Sequence, residues 1–394
     1  MIPVEEAQAL CLDLVRPGAI EEVSLADALG RTLAAPAKAT RDQPPFPTSA
    51  MDGYALRDAL QGDTLPVIGE SAAGHRWDGT LGKGQAIRIF TGAPVPDGAD
   101  RVVLQENVTR DGDRITLTEP LSDNLNIRAQ GADFKIGFSV ESPRILGPAD
   151  LALLAAMNCP RVTVTRRPKV ALISNGDELV MPGANPTADQ IIASNVFALQ
   201  AMVRQAGGDP LVLPIAADTP AALDRVLLDA ADWGADLIVT IGGASVGDHD
   251  LVAPALDRFG VTRSFHKIAM RPGKPLMAGA KGDLAVLGLP GNPVSAVVCG
   301  QLFMLPMIRR MLGQTCVLPE ALTARLTATL PAGGPRAHYM RAAFAETEHH
   351  REVTPFDRQD SSMLTVLAAA NCLLLRPINC PVSAPGDAVT ILPF

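Results

Sequence analysis

The residues of this 394-residue chain best suited to chemistry lie in three turns rich in glycine, serine and carboxylates, each following a strand-like apolar run. They are Ser174-Asn-Gly-Asp-Glu178, Gly242-Gly-Ala-Ser-Val-Gly-Asp-His-Asp250 and Gly288-Leu-Pro-Gly-Asn-Pro-Val-Ser295. In an open parallel sheet, loops leaving the carboxyl ends of strands gather along one edge, where such folds bind ligands. Three such loops on one rim predict a pocket for a phosphate-bearing, metal-assisted substrate.

Gly242 and Gly243 let the backbone approach a ligand without an intervening Cβ. The N–H groups before the next helix, in the turn carrying Ser245 and Gly247, offer a phosphate site with the Ser245 hydroxyl as donor. Asp248 and Asp250 suit a Mg²⁺ bridging to phosphate better than a bare phosphate. A tight capped turn is the competing reading, and a Walker loop is excluded because no Gly-Lys-Ser/Thr follows. In the third turn Pro290 and Pro293 stiffen the backbone, Gly291 permits positive φ and Asn292 supplies an amide, ahead of Ser295. Such a rigid loop suits one ligand pose, although a proline-stiffened structural turn would read the same way. Glu178, Asp218 and Asp250 are candidates for one acidic metal-binding cluster, with helix capping the alternative for Asp218. Arg271 and Lys274 flank Pro272-Gly273 and would bring cations to an anion, unless that turn is merely solvated. Asp52 and Thr91 fall in loops that gain chemical interest only if their unit covers the pocket. The histidines form no metal-ligand pattern, and His249 reads as exposed.

The elements that must position these residues differ along the chain. Ala7, Leu10, Cys11 and Leu14 form a helical apolar stripe, and a second short helix is expected around Leu25 to Leu33. From Pro44 short β-prone runs alternate with glycine turns, with a hairpin predicted between 101–110 and 114–119. Residues 168–313 alternate strands and helices, which implies a parallel sheet with right-handed crossovers. Short β-like runs follow to the end and predict a small barrel or sandwich. The expected fold is multidomain α/β: a central parallel α/β sheet domain, a helical N-terminal domain, a β-rich lid domain and a C-terminal small β-barrel. The expected boundaries are 1–43 plus 135–167, 44–134, 168–315 and 316–394.

Composition narrows the function classes. With 47% hydrophobic and 19% charged residues the chain can bury large cores. A net charge of -8 without a basic stripe argues against nucleic-acid binding. The N-terminus lacks a signal-peptide pattern, and the apolar run 294–308 falls short of a membrane span, so no membrane association is expected. Six cysteines without Cys-x-x-Cys spacing read as buried free thiols in a reducing cytoplasm.

Together these motifs resemble the molybdopterin molybdenumtransferases, the bacterial MoeA family and the related E domain of gephyrin. The matching strings are Pro45-Phe-Pro-Thr-Ser-Ala-Met-Asp-Gly-Tyr54, Thr91-Gly-Ala-Pro-Val-Pro96, Asn126-Ile-Arg128 with Gly131-Ala-Asp133, and Gly176-Asp-Glu-Leu179. They continue with Gly242-Gly-Ala-Ser-Val-Gly247, Pro272-Gly-Lys-Pro275 and Gly288-Leu-Pro-Gly-Asn-Pro293, in family order along the whole chain. The resemblance implies conversion of adenylylated molybdopterin and molybdate to molybdenum cofactor and AMP, with Mg²⁺ assisting. It also implies a homodimer whose pocket lies between the α/β domain of one chain and the lid of the other. Positions matching Asp52, Thr91, Asp133, Glu178, Asp218, Asp250, Pro290 and Pro293 would affect activity. A molybdopterin adenylyltransferase and molybdoenzyme maturation proteins would be functional partners. The departures are Ser174-Asn175 for the common Ser/Thr-Thr, Asp248-His249 for Glu-Ala, and Arg271 for a frequent Lys. Competing readings are a molybdopterin adenylyltransferase, which is usually a single α/β domain, a gephyrin-like scaffold, and a nucleotide hydrolase.

Overall fold

A six-stranded sheet forms the centre of the molecule, in the order Asp209–Val212, Lys169–Ser174, Leu237–Ile241, Leu284–Leu289, Met277–Lys281, Thr262–His266. This computed structural model describes residues 1–243 and 251–394. The first four strands are parallel, as the alternating pattern predicted, and the last two are antiparallel additions that pattern did not reveal. Lys169–Ser174 and Leu237–Ile241 are nearly continuous apolar runs because both faces of the sheet are covered. Val170 and Leu172 point into one core, and Ala171 and Ile173 into the other. Helices Asn195–Gln205 and Pro293–Cys299 cover the first face, while Pro220–Asp232 and Val252–Phe259 cover the second.

The helix Pro220–Asp232 starts as its Thr-Pro signature requires, with the Thr219 hydroxyl accepting from the Ala222 N–H at 3.3 Å. The long helix expected from Val294 to about Leu312 forms: Pro293–Met311 is one helical stretch of 19 residues. By length and composition it could span a membrane, although the apolar run 294–308 reads as too short, yet 83% of its apolar window is buried inside the fold. It contains a π-helical turn at Gly300–Met304, just before Pro306. Pro306 has no N–H for the Leu302 carbonyl one turn back. Gln8 Nε2 supplies that donor at 3.0 Å from the first helix. That helix, Val4–Asp13, thus packs on the central unit through Val4, Ala7 and Cys11.

The expected second N-terminal helix does not form. Leu25–Asp27 is a single 3₁₀ turn, and Thr32–Leu33 is a strand in a sheet ordered Ile20–Ser24, Arg161–Thr165, Thr32–Leu33, Arg144–Ile145. Gly30 at φ +70° breaks the helical path, and cross-strand pairing with Val164 and Arg144 replaces it. The predicted hairpin is likewise shorter. Only Val108–Asp111 and Arg114–Leu117 pair through the Gly112 turn, while Arg101–Leu104 joins Gly53–Leu56 instead. In the C-terminal unit, strands Ala337–Glu346, Arg351–Pro355, Leu322–Leu326, Ala388–Pro393 and Cys372–Arg376 close into a barrel, the last pairing back with the first. All six cysteines are free, but Cys316 is exposed and Cys159 and Cys380 are only half-buried, so burial of every thiol was not a correct expectation.

Candidate functional site

Register brings the strand ends together. Ser174 lies opposite Ile241, and Ile241 opposite Leu289, so the loops beginning at Asn175, Gly242 and Pro290 leave the sheet side by side. The Gly242 N–H donates to Leu289 O at 3.1 Å, and the Ala216 N–H to Ser174 O at 2.9 Å, which draws the Asp218 loop to the same edge. Between these loops opens a cleft of about 840 Å³, within the range of small-molecule sites.

Of the sequence-predicted residues, Glu178, Asp218, Gly242, Gly243, Pro290, Gly291, Asn292 and Pro293 line this cleft. Ser245, Gly247, Asp248, His249 and Asp250 lie outside the described residues. Ser295 is buried in the helix Pro293–Cys299, behind the cleft wall. Lys274 is exposed and does not line the cleft, although Pro275 of the same turn does, and Arg271 faces a second, smaller cavity. Asp52, Thr91 and Asp133 are exposed in the β-rich unit and do not line the cleft of their own chain.

Local geometry explains the glycines. Gly242 and Gly243 hold φ values of +100° and +61°, and a Cβ on Gly243 would run into Val252. These backbones pack closely against Asn175: a Cβ on Gly242 would sit 3.3 Å from Asn175 O, a tight contact. Asn175 Nδ2 donates to Asp218 Oδ1 at 3.3 Å, and the Asp218 N–H donates to Asp177 Oδ1 at 3.0 Å. Among the described residues Asn175 Oδ1 is buried without a hydrogen-bond partner, an unusual state for an amide oxygen beside a ligand-sized space.

Several residues that the sequence reading did not single out complete the walls. Asn195, at the start of its helix, donates to Gly291 O at 2.6 Å and fixes the proline-rich loop. Asn292 Nδ2 donates to the Ser361 hydroxyl at 3.1 Å, and the Val294 N–H to Ser361 O at 3.0 Å, so a barrel loop is tied to the sheet edge. Ser362 from that loop reaches the cleft. Asp360 accepts from the Ser362 hydroxyl and N–H, and these bonds hold its carboxyl below the ordinary range. Fully buried Arg341 supports the loop through Asp360 O at 3.1 Å. The Asn195 amide beside a helix start was visible in the sequence, whereas the barrel contribution depends on a long-range contact with no local signal.

In the β-rich unit, Asp52 Oδ1 accepts from Thr91 N at 2.7 Å and from its hydroxyl at 2.9 Å. These bonds, the backbone one foremost, lower the Asp52 pKa. Arg88 braces the pair, donating to Gly53 O at 3.1 Å and lying over the rings of Tyr54 and Phe90.

Three family descriptions match successive parts of the chain. Residues 2–158 match the MoeA N-terminal region (domain I and II), 171–310 a probable molybdopterin binding domain, and 323–394 the MoeA C-terminal region (domain IV). The chain is 36% identical to the molybdopterin molybdenumtransferase of Nostoc sp. over 385 residues, covering 94% of this chain and 88% of the relative. This chain belongs to the MoeA family. The molybdopterin molybdenumtransferase of Haemophilus influenzae is 34% identical, covering 100% of this chain and 99% of the relative. A solved MoeA protein of Pyrococcus horikoshii superimposes with a TM-score of 0.84 at 30% identity, covering 100% of this chain and 99% of that one. The flanking units and the central sheet thus match MoeA proteins along the chain, not an isolated α/β domain.

Proposed function

We propose that this chain is a molybdopterin molybdenumtransferase that places molybdenum from molybdate on the dithiolene of adenylylated molybdopterin and releases AMP, the last step of molybdenum cofactor assembly. One observation carries the reading: three strand-end loops in a single register row enclose a cleft with Asn175, Glu178 and Asp218 at one wall. Family membership and the names of the full-length relatives support it.

The donor set fits a hard divalent cation. Glu178 and Asp218 offer carboxylate oxygens, and the unpartnered Asn175 Oδ1 offers a neutral one. Among the described residues no three carboxylate, histidine or cysteine side chains form a metal-sized group; Asp250, the third carboxylate expected from the sequence, lies outside them. Mg²⁺ bound there would offset the charge that develops as a phosphoanhydride opens. The chain's own contribution is placement. Gly242 and Gly243 line the cleft, and Asn195 and Ser361 fix the Gly291–Asn292 segment that lies against Gly242. The substrate's dithiolene would ligate molybdenum, so no protein thiol is needed; burial in fact pushes Cys11 up to about 12.

Asp52, Thr91 and Asp133 are exposed and away from their own cleft, which supports a homodimer in which the lid of one copy meets the cleft of the other. The free cysteines support a cytoplasmic setting, with a molybdopterin adenylyltransferase supplying the substrate and maturation proteins receiving the product. Purified protein given adenylylated molybdopterin and Mg²⁺ should release AMP only when molybdate is added. AMP release at the same rate without molybdate would instead identify a nucleotide hydrolase.

A further inference from the structure

Arg88 touches the neighbours of both members of the Asp52–Thr91 pair. It lies in the strand Ala86–Ile89, opposite Tyr54 of Gly53–Leu56. One guanidinium nitrogen donates to Gly53 O at 3.1 Å, next to Asp52 in the chain, and the other to Gln105 Oε1 at 2.6 Å. The Gln105 N–H in turn donates to Asp52 O at 3.2 Å. The guanidinium also lies over two rings, 5.0 Å from the Tyr54 centroid and 4.8 Å from that of Phe90, the residue before Thr91.

These contacts suit arginine. A planar fork donates in two directions while its face stacks on aromatic rings, whereas a lysine ammonium is a point charge. The Gly53 carbonyl that receives the fork is anchored in the sheet, since a Cβ on Gly53 would run into Val103 O of the next strand. Among the described residues no carboxylate forms an ion pair with Arg88. Asp52 Oδ1 takes both Thr91 bonds, and among the described residues none reaches Oδ2. The Thr91 N–H, then its hydroxyl, and more weakly the Arg88 charge hold this carboxyl below its ordinary range. Asp52 and Thr91 are exposed, so the ordering serves a surface and not the core of the unit.

We propose that Arg88 is a positioning residue for the transfer reaction: it fixes the Gly53 and Phe90 ends of two loops so that Asp52 meets the partner's cleft with Oδ1 locked on Thr91 and Oδ2 open to the substrate. This rests on the reading above, in which the lid of one copy meets the cleft of the other. Arg88 makes no contact with substrate and acts through Asp52, with Gln105 carrying the same restraint to the Asp52 carbonyl.

The test is a double-mutant cycle in the full-length protein, with native, R88Q, D52N and R88Q/D52N chains compared in molybdate-dependent AMP release. R88Q should lower kcat by about tenfold or more with little change in KM, the mark of a group that matters only in the transition state. The double variant should be no slower than D52N within about twofold, because residues that act as one unit are not additive. Losses that multiply in the double variant, or native kcat in R88Q or D52N, overturn the proposal. If R88Q does not fold, R88K, which keeps the charge without the fork, takes its place in the same cycle with the same deciding outcomes. Carbon-13 titration of Asp52 needs no turnover: its pKa should rise toward the ordinary value in R88Q, and an unchanged value overturns the positioning role. Native protein that releases no AMP while R88Q still shifts Asp52 contradicts the cleft assignment and leaves Arg88 as the brace of Asp52, so the two failures are distinguishable.

Discussion

Asp52 takes two hydrogen bonds at one carboxylate oxygen from a single residue, Thr91, through its N–H and its hydroxyl. Thirty-eight residues separate them in sequence, yet the strands Gly53–Leu56 and Ala86–Ile89 pair directly and bring their loops together. Thr91→Val removes the hydroxyl and keeps the N–H, so the Asp52 pKa should rise part of the way to its ordinary value. Thr91→Ser should leave it low. Because the folded value is depressed, this carboxylate contributes stability above its unfolded pKa and loses it as pH falls through the folded value. Carbon-13 titration of Asp52 checks the shift, and an unchanged value in Thr91→Val would contradict the geometry.

Gln8 substitutes for the N–H that Pro306 lacks. Gln8→Leu should leave the Leu302 carbonyl without its donor and reduce stability by about 1–3 kcal/mol. Urea unfolding measures this directly. A Gln8→Leu, Pro306→Ala double variant should recover part of the loss, because the backbone donor returns.

Gly243 adopts a left-handed backbone with Val252 against its open side. Gly243→Ala should cost about 1–2 kcal/mol from handedness alone and displace the turn that approaches the substrate. Thermal unfolding should therefore fall modestly while turnover falls far more. A loss of stability with turnover intact would show that the close approach serves packing only.

His338 has its pKa lowered to about 4 from 6.5 by burial and by Arg271, Arg341, Arg336 and Arg376. As pH falls below 6.5 the unfolded chain takes up a proton that the folded chain refuses, so stability declines until about pH 4 and then levels. His338→Gln should flatten that slope in urea unfolding at pH 7 and pH 5. An identical slope would mean that the ring is not held neutral.

The central sheet was legible because its strands read as uninterrupted apolar runs between capped helices, and Thr219-Pro220 marked one helix start correctly. The cleft was legible for the same reason, since Glu178, Asp218, Gly242 and Asn292 all leave strand ends. Leu25 to Leu33 misled because its apolar residues suit either period, and the pairing of Thr32–Leu33 with strands more than a hundred residues away decides the outcome. The edge strand Thr262–His266 was hidden by its polar residues, and Met277–Lys281 inside it by its small ones. Ser361 and Ser362 were invisible as cleft residues, since only barrel closure and the Asn292 contact bring them there.

The most direct test of the central claim is single-turnover release of AMP from adenylylated molybdopterin, with molybdate and Mg²⁺, by native protein and an Asn175→Ala, Asp218→Asn variant shown to be folded. The account predicts molybdate-dependent release by the native chain and at least ~100-fold slower release by the variant, equivalent to about 2.7 kcal/mol of lost transition-state stabilisation. Equal rates for the two proteins would contradict it.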